Sequence, residues 1–163
     1  MNGNMKSALS SFKKKTGSRG FTLIELLVVI GILAVLLAIT LIAINPARQF
    51  SQANNTKRSS DVNAILNAVG QYAADNKGAL PAGIDSTVRT ITDSLNGADI
   101  CDALVPQYIA ALPVDPLTNN GTPISSCAAA YDTNYTITRS ATDNRLTVTA
   151  PAAELTQTIT VTR

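Results

Sequence analysis

Residues 21–44 read FTLIELLVVIGILAVLLAITLIAI, and this stretch decides the fold of the chain. It is 24 residues long and carries one charge, Glu25. About 20 apolar residues in a helix cross the hydrocarbon core of a bilayer. The stretch is therefore a membrane-spanning candidate, longer than the apolar region of a secretory signal. Upstream lie Lys6, Lys13, Lys14, Lys15 and Arg19, five positive charges in twenty residues that hold no acid. The remaining residues carry eight basic and eleven acidic groups. A basic head before an apolar span places the N-terminus in the cytoplasm and the C-terminal body outside. A basic head on a mildly acidic body is not the composition of a nucleic-acid binder, so no direct nucleic-acid binding is expected.

Apolar residues make up 45% of the 163-residue chain and charged residues 15%, with the excess concentrated in this one block. There is no His and no Trp. Without His, most serine- and cysteine-hydrolase arrangements, most zinc sites and the commonest general base are excluded. The two cysteines, Cys101 and Cys127, form no CxxC pair, which removes a thioredoxin-like site and a zinc knuckle. No cofactor, metal or catalytic residue is expected.

Working outward, residues 1–20 are polar, basic and rich in Ser, Lys and Gly, and read as a flexible leader. Taken alone, they fit equally a cytoplasmic tail that stays on the chain. After the apolar block, Asn45-Pro46 marks a kink, since proline lacks an N–H and clashes with the preceding turn. Val62, Ile65, Leu66, Val69, Tyr72 and Ala73 then recur at helical spacing, with Asp61, Asn63, Asn67 and Gln71 between them. This predicts an amphipathic helix laying one stripe on a core. Asn76-Lys77-Gly78 supplies a basic last turn and a glycine stop. A near-continuous helix from Phe21 to Lys77 would be about 85 Å long at 1.5 Å per residue.

From Gly78 onward turn residues punctuate the chain. Val88–Thr92 reads as a strand and Asp99–Val105 as a short helix. Asn134–Arg139, Arg145–Ala150 and Thr156–Arg163 alternate apolar and polar residues, many of them β-branched. They predict an antiparallel meander with one face on the amphipathic helix. The fold class is α+β. The boundaries are a leader over 1–20, a span over 21–44, an amphipathic helix over 45–78 and a β-rich head over 79–163.

The junction of leader and span is the most specific signal. Arg19-Gly20, then Phe21-Thr22-Leu23-Ile24-Glu25-Leu26 and an unbroken apolar run, resembles the class III signal of type IV pilins and type II secretion pseudopilins. The resemblance implies a pilin fold and a cut between Gly20 and Phe21 by a prepilin peptidase. It also implies N-methylation of Phe21 and polymerisation of identical subunits through the N-terminal helix. A cut at that place removes the charges and leaves the apolar helix on the mature chain, unlike ordinary signal cleavage. The resemblance departs at one point: many type IV pilins carry a proline near the position of Ile42, and here it is Pro46.

Glu25 is an acid in an apolar segment, where a charge costs about 2.5–3.5 kcal/mol at the centre of a helix and less near its end. The resemblance implies a partner, the new α-amino group of Phe21 on a neighbouring subunit, which would fix the axial register of packed helices. The alternative is a solvated Glu25 at headgroup level. Gly31, Ala34 and Ala38 are small enough for close helix packing, and equally ordinary for a membrane helix.

On the exported side, Cys101 and Cys127 are expected to be bridged, as the resemblance also implies, against the alternative of two buried free thiols. Leu112-Pro113-Val114-Asp115-Pro116 resembles a turn of major pseudopilins that lies near a calcium loop in some of them. Asp115, Asn119 and Asp132 are oxygen donors there, but without dense acidic spacing a solvated turn is the better reading. The expected function is a structural, non-enzymatic major pilin-like subunit of a type IV pilus, served by prepilin peptidase and an inner-membrane assembly platform and held in the membrane before assembly. The alternative within the family is a type II secretion pseudopilin. Outside it stands a membrane-anchored extracytoplasmic binding domain that keeps its tail.

Overall fold

The computed structural model describes residues 20–163, so the basic leader, Gly20 apart, lies outside the described residues. The chain divides into two compact units, the first ending at Ile44 and the second running from Asn45 to Arg163.

In the first unit, helix α1 (Leu23–Ile44) is long and apolar enough to cross a membrane. It buries none of its residues, and apolar side chains cover its whole circumference. A helix apolar on every side has no polar face to offer water, and its stable surroundings are lipid or other helices.

The second unit begins at the break that the proline foretells. The expected near-continuous helix is interrupted. Asn45 adopts a left-handed conformation (φ 46°), and Pro46 starts a new helix, α2 (Pro46–Asp75). Proline suits the first helical position because its missing N–H would have had no partner there. The Asn45 side chain caps the new helix by accepting from the Arg48 N–H at 3.3 Å.

The far end of α2 also differs from expectation. The helix stops at Asp75, so Lys77 is not in its last turn. Lys77 itself takes the left-handed position (φ 56°), and the Gly78 N–H reaches back to the Ala73 carbonyl at 2.7 Å. This is the Schellman closure, with lysine where glycine is usual.

Four strands form one antiparallel sheet in the order β1 (Arg89–Thr92), β2 (Asp132–Arg139), β3 (Leu146–Ala150), β4 (Ile159–Thr162). The meander is as expected, and β1 joins it as a fourth strand beside β2. The last strand starts three residues later than its alternation suggests, because Leu155 and Thr156 both sit at φ 56° and cannot be extended. The short helix α3 is confined to Cys101–Leu104. The core lies between α2 and the sheet: Val62, Ile65, Leu66 and Val69 meet Ile91, Tyr135, Ile137 and Val148. α2 packs over β3 and β4. A disulfide joins Cys101 to Cys127, as expected, with Cys101 in the core and Cys127 packed against it.

Alternation sends every second residue to the outer face of the sheet. The registers align Thr90, Thr136, Thr149 and Thr160 in one row across all four strands. Thr138, Thr147 and Thr162 form a second row. Hydroxyls bond along the rows, Thr147 to Thr162 at 2.9 Å and Thr149 to Thr160 at 3.1 Å.

Candidate functional site: an N-terminal processing and assembly segment

Gly20, Phe21 and Thr22 precede α1, are exposed and are not helical. The Gly20–Phe21 bond thus lies in accessible non-helical backbone. Thr22 is the residue just before the helix, and Glu25 is the third residue within it. The Thr22 N–H donates to Glu25 Oε2 at 2.8 Å and the Thr22 hydroxyl to the same oxygen at 2.7 Å. The Glu25 N–H donates back to Thr22 Oγ1 at 3.2 Å. This reciprocal arrangement is a capping box.

The box was missed in reading the sequence, although its signature, Thr22-x-x-Glu25 before an apolar run, is plainly there. It changes the account of Glu25. One carboxylate oxygen is used locally, and Oε1 accepts no hydrogen bond among the described residues. One side of a fixed carboxylate is left to receive a cation.

A second polar constellation lies in the unit that runs from Asn45 to Arg163. Arg58, on α2, is fully buried. Its Nε donates to Asp115 Oδ2 at 2.6 Å and its Nη2 to Asp115 Oδ1 at 3.2 Å, a two-pronged pair. Its Nη1 donates to Glu154 Oε2 at 2.8 Å and to Asn55 Oδ1 at 3.0 Å. Ser51 and Asn54 also donate to the Glu154 carboxylate, at 2.8 and 3.0 Å. The Asn55 amide clasps the Glu154 backbone, donating to its carbonyl at 2.8 Å and accepting from its N–H at 2.9 Å. Chiefly the Arg58 guanidinium, with Asn54 and Ser51, holds the Glu154 carboxyl down at about 2.

This constellation corrects the reading of Asp115. It is not in a solvated turn: its side chain is wholly inaccessible, because Arg58 enters from α2 to neutralise it. The turn after it remains, with the Leu117 N–H donating to Asp115 Oδ1 at 2.9 Å. Asn119 and Asp132 are not drawn to it. Asn119 sits in a single 3-10 turn (Asn119–Gly121), and Asp132 accepts from the Asn134 N–H at 2.8 Å. Among the described residues no three His, Cys, Asp or Glu side chains come together as metal ligands. Nothing in the sequence pattern announced Arg58, which stands between Lys57 and Ser59 with no apolar context of its own.

The family model of the prokaryotic N-terminal methylation motif matches residues 15–41. The match, confined to this end of the chain, supports a type IV pilin-like prepilin. The long apolar helix, the second helix and the four-stranded antiparallel sheet are together consistent with an α+β pilin fold. No curated protein and no solved structure matches the chain.

Proposed function

We propose that the chain is the precursor of a major pilin-like subunit of a type IV pilus. The observation that carries this reading is α1, an all-round apolar helix that buries no residue and is opened by Thr22 and Glu25 just past the Gly20–Phe21 bond. A lone anchor needs only to dissolve in lipid. A helix withdrawn from lipid needs another apolar home, and parallel copies of itself supply one through burial and close packing.

Prepilin peptidase, acting from the cytoplasmic side, cuts between Gly20 and Phe21 and leaves α1 on the mature chain. Phe21 becomes the methylated N-terminus. Its ammonium group on one subunit meets the free Oε1 of Glu25 on the next, and the capping box holds that carboxylate still while they meet. An inner-membrane platform draws subunits from the membrane into the filament, and the head, Asn45–Arg163, lies outside. The subunit performs no chemistry of its own.

The second reading, a type II secretion pseudopilin, is favoured by Leu112-Pro113-Val114-Asp115-Pro116 alone. The test common to both is the intact mass, with N-terminal fragmentation, of the protein from its native membrane or sheared surface fibres. A chain beginning at Phe21 and heavier by one methyl group is expected. A chain still beginning at Met1 or Asn2 in a host with active peptidase overturns both.

A further inference from the structure

The two edges of the sheet are treated differently. The β1 edge is closed. The turn after it folds back so that the Ala98 N–H donates to the Thr90 carbonyl at 2.8 Å, and Arg89 Nη1 donates to the Asn96 carbonyl at 3.3 Å. The turn presses so closely that a Cβ at Gly97 would overlap Thr92.

The β4 edge is open. Arg163 and Leu146 exchange both of their backbone hydrogen bonds. Antiparallel alternation then makes Val148 and Val161 the next bonded pair, which turns the N–H and C=O of Thr160 and Thr162 away from the sheet. No group among the described residues bonds to these four, and both residues are exposed. β4 is short and has no proline, lysine or bulge, and the one charge beside it, Arg163 at its C-terminal end, lies inward with its guanidinium donating to Asn67 of α2. Its core-facing side chains, Ile159 and Val161, are only half-buried, while their neighbours Val148 and Ile137 are covered.

We propose that this edge pairs with the β4 edge of a second copy of the chain, antiparallel and about a two-fold axis at Val161. The edge is complementary to itself. With Val161 opposite Val161 of the second copy, Thr160 stands opposite Thr162, and the reciprocal pair forms by symmetry. All four free backbone groups of each copy are then satisfied. On the outer face this joins the row Thr90–Thr136–Thr149–Thr160 to Thr162, Thr147 and Thr138 of the second copy, repeating the Thr–Thr contacts already present between β3 and β4. On the inner face the two Val161 side chains cover one another.

The helices permit it. α2 lies over β3 and β4, so with strands about 4.8 Å apart the two α2 axes come roughly 10 Å from each other, close to ordinary helix packing. The flank of α2 beside this edge is uncharged, with Gln52, Thr56 and Ser59 lining an open groove with Gln157 and Ile159, so like charges do not meet.

An axis normal to the sheet reverses the direction of α2. Subunits of one filament share a direction, so this contact joins heads belonging to two filaments, or two chains free of any filament. It is a lateral contact, separate from polymerisation.

The test uses the full chain purified in detergent, uncleaved, so its result does not depend on the filament reading. Val161→Cys places two thiols across the axis in a non-hydrogen-bonded pair, within disulfide reach. Mild oxidation is expected to give a covalent dimer with Val161→Cys and not with Thr138→Cys on the outer face. Adding Thr160→Pro or Thr162→Pro removes an outward N–H and leaves the intrachain ladder whole, a placement proline tolerates at an edge. Either is expected to cut the cross-linking yield by about tenfold or more, since two intermolecular hydrogen bonds are lost. Far-UV circular dichroism and the intact Cys101–Cys127 bond verify the fold of each variant. No cross-link at Val161 above that at Thr138, or a yield that both proline variants leave unchanged, overturns the proposal.

Discussion

Arg58 and Asp115 stand 57 residues apart in the chain and form a two-pronged ion pair with neither side chain accessible to solvent. The pair pins the Pro113–Pro116 turn to the flank of α2, and through Glu154 the same guanidinium pins the β3–β4 connection. Removing Arg58 leaves the Asp115 carboxylate an uncompensated buried charge, and removing Asp115 leaves the buried guanidinium with Glu154 as its one acid partner. Arg58→Met or Asp115→Leu alone is therefore expected to cost about 3–5 kcal/mol, read from denaturant unfolding of the chain in detergent. The double variant is expected to recover most of that loss, since a buried pair replaced by apolar groups is near neutral. A double variant as unstable as the sum of the singles would contradict this.

Glu154 gives the head an acid-sensitive latch. Its folded-state pKa, about 2, lies below its ordinary 4.5. A depressed carboxylate contributes stability that is complete above about pH 4.5 and lost as pH falls through about 2. Glu154→Gln is expected to lower the melting temperature at neutral pH and to flatten its decline across that acid window. The comparison is made variant against parent, because Asp85, held at about 2 chiefly by Arg89, loses its contribution over the same range in both.

Glu25→Gln separates the two roles of its side chain. Glutamine satisfies the N3 position of a capping box, so the start of α1 is kept while the charge is lost. Cleavage and methylation are expected to continue, and the mature subunit to stay in the membrane and be absent from sheared surface material. Thr22→Ala has the converse effect on the helix. Loss of the cap, worth about 1 kcal/mol, is expected to speed amide exchange at Glu25 about fivefold.

Cys101→Ser with Cys127→Ser reopens the 26-residue separation closed by the bridge. The expected cost is about 2–5 kcal/mol of head stability, visible as a lower denaturant midpoint with α1 helicity unchanged.

The parts of the fold governed by local pattern were legible. The apolar run gave α1, the Val62–Val69 stripe gave the buried face of α2, and β-branched alternation gave three of the four sheet strands. The parts governed by distant partners were not. Arg58 looks like a surface arginine until Asp115 and Glu154 are brought to it from the far end of the chain. Asp115 reads as a turn residue for the same reason. Thr156 carries a strand-former's side chain, yet its backbone is left-handed, two residues after the Glu154 backbone that Asn55 clasps from α2, a contact no local window contains. At the N-terminus the omission was of another kind. The capping signature is local, and Glu25 serves in it as a hydrogen-bond acceptor for the Thr22 N–H and hydroxyl as well as a charge.

The left-handed Asn45 has a practical corollary. Because its side chain caps α2 and Pro46 occupies the first helical position, the second helix carries its own start signal and borrows none from α1. A gene trimmed to open at Asn45 encodes a helix that already knows where to begin. Such a fragment is the natural starting point for a water-soluble antigen or crystallisation target.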